Sequence, residues 1–174
     1  MDGIIQRDQL LDVAGRGRRT QLNLAAQLGL TGYSPPAGGC LLTDKGFSNR
    51  VRDLLDHTDE VQPKDLQLLG IGRHLRFRPG LKVIVGRREA ENERLYDLAG
   101  SGVLFVPADF PCPAVLAQGR PDEEEERLIG TIIRRYARES ARGNWIRVVA
   151  PSGQERRLEV SGTADDQWIQ SRMI

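Results

Sequence analysis

Two sets of residues have types and spacings suited to chemistry. The first is Cys40, preceded by Pro35-Pro36-Ala37-Gly38-Gly39 and followed by Leu41-Leu42-Thr43-Asp44. Each proline fixes φ and holds its predecessor extended, and the two glycines let the backbone turn sharply or lie against a bound group. Thr43-Asp44 is a natural helix N-cap, which would place the thiol near the positive end of a helix dipole, where thiolate is favoured. That setting suits a nucleophile or sulfur carrier. It equally suits a small apolar residue closing a turn, and the residues alone leave both readings open. The second set is basic. Arg73-His74-Leu75-Arg76-Phe77-Arg78 alternates charged and apolar side chains, Pro79-Gly80 signals a turn, and Leu81-Lys82-Val83-Ile84-Val85-Gly86-Arg87 follows. Read as a β-hairpin, the pair presents Arg76, Arg78, Lys82 and Arg87 on one outward face with no acid among them. Such a face suits phosphate contact, or is simply solvated.

Composition limits the partners. The 174 residues carry 25 Lys+Arg against 24 Asp+Glu, so whole-chain charge predicts no polyanion partner and any nucleic-acid signal must be local. Hydrophobic content of 39% and charged content of 28% are those of a globular protein of one or two small domains. No apolar run is long enough to span a bilayer, and no signal peptide is apparent. Cys40 and Cys112 lie far apart in a chain without secretory features, which predicts a reducing cytoplasm and no disulfide framework. With His57 and His74 they show no metal-site spacing, so no metal is expected.

The elements that position these residues follow from periodicity and caps. Ile4 to Val13 reads as an extended piece and one helical turn, and Gly15 to Arg19 as a basic loop. Thr20 caps a helix to about Gly29, with Leu22, Ala25, Ala26 and Leu28 on its apolar face. Asp44 caps a helix to about His57 with a Phe47, Val51, Leu54 and Leu55 stripe, and Pro63 opens a short third helix. Helix Arg88–Ala99, strands Gly102–Val106 and Ala114–Ala117, and a long helix from Pro121 to about Ala141 come next. The long helix is acidic at its start and basic at its end, as the dipole favours. Trp145–Ala150 and Arg156–Val160 flank Pro151-Ser152-Gly153 as a second hairpin, and the stretch from Ser161 reads as a loosely ordered tail.

Two family resemblances add to this. Arg16-x-Arg18-Arg19-x-Gln21-x-x-x-Ala25-x-x-x-Gly29-Leu30-x-x-Tyr33-x-x-Pro36-Ala37-Gly38-Gly39-Cys40-Leu41-Leu42-Thr43-Asp44-x-x-Phe47-Ser48-x-Arg50-x-x-x-Leu54-Leu55 resembles the closing part of a PP-loop ATP-pyrophosphatase domain of tRNA thiouridine synthases of the MnmA and ThiI kind. The resemblance places Cys40 at the family's persulfide-carrying cysteine. It implies tRNA as substrate, ATP for the intact protein and a sulfur-donor protein as partner. The family's Ser-Gly-Gly-x-Asp-Ser phosphate loop does not occur in this sequence. The chain therefore reads as the C-terminal part of a longer protein, with no cofactor of its own. Farther on, Gly80-x-Lys82-Val83-Ile84-Val85-Gly86-Arg87-x-x-x-Glu91-Asn92-x-x-Leu95 is similar to the core of the NFACT-R RNA-binding domain, with Arg88 where that family commonly has Asn and Cys112 where it often has Gly. This resemblance implies RNA binding by Arg76, Arg78, Lys82, Arg87 and Asn92.

The expected architecture is mixed α+β: a PP-loop remnant over 1–60, an NFACT-R-like domain with two hairpins and a long packed helix over 61–160, and a tail over 161–174. The expected function is that of the tRNA-binding region of a cytoplasmic tRNA sulfurtransferase. The rival reading is a non-catalytic RNA-binding or ribosome-associated module with a structural Cys40.

Overall fold

Strand β2 (Leu81–Val85) dictates the architecture. Leu81, Val83 and Val85 alternate with Lys82 and Ile84, and all five are buried. A strand buried on both sides needs cover on both faces of its sheet. The computed structural model describes residues 18–31, 40–138 and 140–174. The readings over 4–17 and over the 33–39 turn lie outside the described residues.

The chain divides into two units, Met1–Gly39 and Cys40–Ile174. In the first, α1 (Arg19–Gln27) stops at Gly29, whose φ of +64° is the left-handed conformation that glycine tolerates best. Its N-cap is Arg18, not Thr20, and none of its side chains is buried. In the second unit a one-turn 3-10 helix (Leu41–Thr43) leads to α2 (Lys45–His57) and α3 (Pro63–Leu68). Then come β1 (Arg73–Arg78), β2, α4 (Glu89–Asp97), β3 (Val103–Pro107), β4 (Val115–Gln118), α5 (Glu123–Tyr136), β5 (Trp145–Val149), β6 (Glu155–Glu159) and α6 (Asp166–Arg172).

The strands form one antiparallel sheet in the order β1-β2-β4-β3-β5-β6. Both expected hairpins are present, β1–β2 in the register Arg76↔Lys82 and β5–β6 in the register Arg147↔Arg157. Strand alternation sends two apolar sets to opposite faces. Val83, Val85, Phe105, Val115 and Ile146 pack with Ile129, Ile132 and Ile133 of α5 and Ile169 of α6. Ile84, Leu104, Val106 and Leu116 pack with Leu68 of α3 and Leu95 of α4. The class is α+β, as expected.

Three expectations need correction. The long helix ends at Tyr136 rather than near Ala141, because the apolar stripe stops there and Ala137 is already extended, with ψ of 159°. The stretch after Ser161 is not loose. Asp165 caps α6, Ile169 is buried, and Met173 bridges to Leu75. On α2, Leu55 is exposed while Asp53 is buried.

Asp53 accounts for Lys82. Its carboxylate accepts from Arg76 Nε at 2.9 Å and Nη2 at 2.6 Å, and lies 2.9 Å from Lys82 Nζ. Burial alone would raise the Asp53 carboxyl, but hydrogen bonds from Arg76 and Lys82 outweigh it and hold the group at about 2. Removing one partner from a buried ion cluster strands the others. Asp53→Ala is therefore expected to cost about 3–5 kcal/mol in urea unfolding; a loss under about 1 kcal/mol would mark the cluster as a solvent-screened surface pair. The folded value lies below the ordinary 3.8, so the contribution, about 2 kcal/mol by linkage, is complete above that value. As pH drops from 3.8 toward about 2, the wild type should lose more stability than Asp53→Asn, the difference reporting Asp53 alone because the other ion-paired carboxylates titrate in both proteins.

Candidate nucleic-acid interface

Where β2 ends, the sequence Gly86-Arg87-Arg88-Glu89-Ala90-Glu91-Asn92 turns the chain into α4. Gly86 N–H donates to Ala114 O at 3.0 Å, and Asn92 Oδ1 accepts from Ala114 N–H at 3.1 Å. A Cβ on Gly86 would overlap the Asn92 side-chain oxygen. The glycine is thus required by close approach, and the asparagine ties α4 to the start of β4. Arg88 N-caps α4 without a side-chain bond, and Glu91 reaches back to accept from Arg87 N–H at 2.8 Å. Burial works to raise the Glu91 carboxyl, but the Arg87 backbone bond and the charges of Arg87 and Arg88 bring it below the ordinary range.

This turn forms one wall of an open groove of about 950 Å³. Arg87, Arg88, Asn92 and Tyr96 come from the turn and α4, Pro107 from the end of β3, and Pro111, Cys112 and Pro113 from the segment between β3 and β4. Arg73 from β1 and Tyr136 from α5 complete it, the guanidinium carbon lying 4.4 Å from the centroid of the ring. Arg138 closes the far end, and the acids Glu89 and Glu93 also line the groove. Burial pushes the Cys112 thiol up to about 12. A second cleft of about 480 Å³ shares Ala137 and Arg138 with the first and adds Arg134, Arg135 and Arg142. Arg135 is tied to Asp166 at 2.7 Å and Arg134 lies over Phe110. No carboxylate among the described residues pairs with Arg138 or Arg142.

The expected basic hairpin face is not formed. Lys82 is 3% exposed and Arg76 is clamped, both on Asp53 of α2. Arg78 binds Glu125 of α5 at 2.7 Å, so it serves a different element. Of the residues singled out in the sequence, Arg87 and Asn92 meet in the groove, and Arg87 is partly held by Glu91 at 3.4 Å. Cys40 is exposed; its carbonyl accepts from Thr43 N–H and Thr43 Oγ1–H, both at 2.7 Å. Arg73, Arg88, Tyr96 and Tyr136 were not singled out as a site. They come from separate elements, and only the Arg88-for-Asn departure in the motif hinted at them.

The family described as "NFACT protein RNA binding domain" matches residues 72–172. The chain belongs to this family. No curated protein matches it. The chain is similar to the solved C-terminal part of the fibronectin/fibrinogen-binding protein from Streptococcus suis, at 14% identity and a TM-score of 0.48, over 71% of this chain and 58% of that one. The NFACT RNA-binding domain here has a general RNA-binding role, and the matched region includes every residue lining the two grooves. Nothing among the comparisons supports the PP-loop thiouridine synthase resemblance of the first third. No helix among the described residues is long and apolar enough to cross a membrane.

The Gly86–Asn92 contact yields a cycle. Asn92→Ala strands the buried Ala114 N–H and is expected to cost about 1–3 kcal/mol. Gly86→Ala is expected to cost about as much by overpacking. The double variant should lose less than the sum, because the shorter side chain makes room for the new methyl. Urea unfolding of the four proteins measures this, and strict additivity would refute the contact.

Proposed function

We propose that this chain binds tRNA through the groove at the end of β2 and the arginine cleft that adjoins it. The observation that carries the reading is the coincidence of the family match with a concave surface where Arg73, Arg87, Arg88 and Arg138 converge. Arginines on phosphates supply affinity, and their geometry sets the register of the strand.

In the finer reading the chain is the tRNA-binding region of a cytoplasmic tRNA sulfurtransferase, and Cys40 carries sulfur as a persulfide delivered by a donor protein. ATP would adenylate a uridine carbonyl oxygen with loss of pyrophosphate, the outer persulfide sulfur would displace AMP at the activated carbon, and a second thiol, supplied from outside these residues, would cleave the S–S bond to Cys40 as a disulfide. The support is the Pro36-Ala37-Gly38-Gly39-Cys40-Leu41-Leu42-Thr43-Asp44 run and the exposure of its cysteine. The ATP step is not assigned to these residues. A second reading is a non-catalytic RNA-binding or ribosome-associated module, with which the turn closed by the Cys40 carbonyl and Thr43 is also consistent.

Two experiments test these readings. In tRNA titrations over a range of salt, Arg87→Gln/Arg88→Gln should flatten the log–log slope by about one to two units. Lys82→Gln should leave the slope unchanged and lower stability, because its ammonium faces Asp53 rather than solvent. The reverse pattern would return the RNA site to the hairpin. In the intact protein, Cys40→Ser should abolish tRNA thiolation while leaving tRNA affinity unchanged. Undiminished thiolation would exclude the persulfide role.

A further inference from the structure

We propose that the groove takes an unpaired nucleotide of single-stranded RNA, splayed out of its stack, rather than a duplex. This inference rests on the RNA-binding reading and narrows it. Sequence-tolerant recognition of single strands needs a flat π surface for the base and cations around it for the phosphates. The groove holds both. Tyr96 is 42% exposed although it is aromatic, and it lines the groove wall. In the same groove the Arg73 guanidinium carbon lies over the Tyr136 ring, 4.4 Å from its centroid, and aromatic rings and guanidinium groups are both surfaces on which bases stack.

The remaining lining, apart from the acids Glu89 and Glu93, fits the same occupant. Pro107, Pro111 and Pro113 have no N–H to offer a phosphate, so this part of the wall suits the apolar face of a base. Asn92 has its oxygen committed to Ala114 N–H, which fixes the orientation of the amide. Its N–H donors have no partner among the described side chains and are left for acceptors on a base edge. Arg88, with 81% of its side chain exposed although Glu91 lies 3.6 Å away, and Arg138 line the same groove and would meet the flanking phosphates. An A-form duplex keeps its bases stacked inside and offers only phosphates and 2′-hydroxyls, so it would leave the tyrosine and proline surface uncovered.

The test compares a single-stranded RNA of about a dozen nucleotides, bearing one 2-aminopurine, with a blunt duplex of the same length, by anisotropy and 2-aminopurine emission. The single strand is expected to bind about tenfold more tightly or better, with quenching of the base analogue as it stacks. Tyr96→Ala should weaken single-strand binding about 5- to 100-fold and abolish the quenching, leaving duplex affinity unchanged. Tyr96→Phe should retain both, which separates lost stacking from a damaged fold. Duplex binding equal to or tighter than the single strand, or an unaffected Tyr96→Ala, would overturn this inference and leave RNA binding intact. Absence of binding to either RNA would overturn both.

Discussion

Lys82 is the constraint from which the rest of the domain follows. It is a cation in the middle of a strand whose other four side chains are buried apolar groups. A lone ammonium there would be far too costly, so it must be paired and hydrogen-bonded. Asp53 supplies the pairing, and with it α2 is pinned over the β1–β2 hairpin. Arg76 occupies the cross-strand position opposite Lys82 and shares the same carboxylate. The net positive field has a further effect on the neighbouring His74. Burial and the Lys82 charge push its imidazole down to about 3, and its Nε2–H donates to Ile71 O at 2.8 Å as a neutral ring. A polar network of this kind fixes one arrangement of helix on sheet where apolar packing alone would allow several.

The sheet was legible in the sequence because its signals are local. Alternation, the Pro79-Gly80 and Pro151-Ser152-Gly153 turns, the Asp44 cap and the helix-opening Pro63 and Pro121 each act within a few residues. What local pattern cannot supply is the identity of the layer that covers a face. Arg76 and Lys82 alternate as solvent-facing residues do, yet a helix some thirty residues upstream covers them through one acid in its middle. Asp53 itself looks like any exposed helical aspartate until its partners are known. The Leu54-Leu55 pair fails in the same way: only Leu54 turns inward. Tyr136 ends the apolar stripe of α5, and its second role in the groove depends on Arg73 from another element.

The candidate site sits at strand ends rather than on a strand face. Its walls are the turn after β2, the proline-rich segment before β4 and the last turn of α5. Because both sheet faces are spent on the two apolar cores, loops at the rim are the surface left for function. The same glycine–asparagine pair that resembles a family motif in the sequence is, in three dimensions, a joint that sets the angle between strand and helix. That is why Arg87 and Arg88 leave the chain on the groove side with their backbone already ordered.

The two outer strands of the sheet are unalike, and each is closed in its own way. Along β1, Met173 bridges to Leu75, Ile174 N–H donates to His74 O at 3.0 Å, and Arg172 donates to Phe77 O at 2.7 Å. The segment after α6 thus occupies main-chain groups that a foreign strand would need. The other margin, β6, is Glu155-Arg156-Arg157-Leu158-Glu159, a run of fixed charges, with Arg156 drawn back to Glu126 of α5. Charge on an outer strand resists edge-to-edge pairing. One margin occupied by its own chain and the other lined with charge both disfavour fibril seeding and strand addition. This domain is therefore suited to high local concentrations on a polyanion with edge-to-edge association disfavoured, and its edges leave recognition chiefly to side chains.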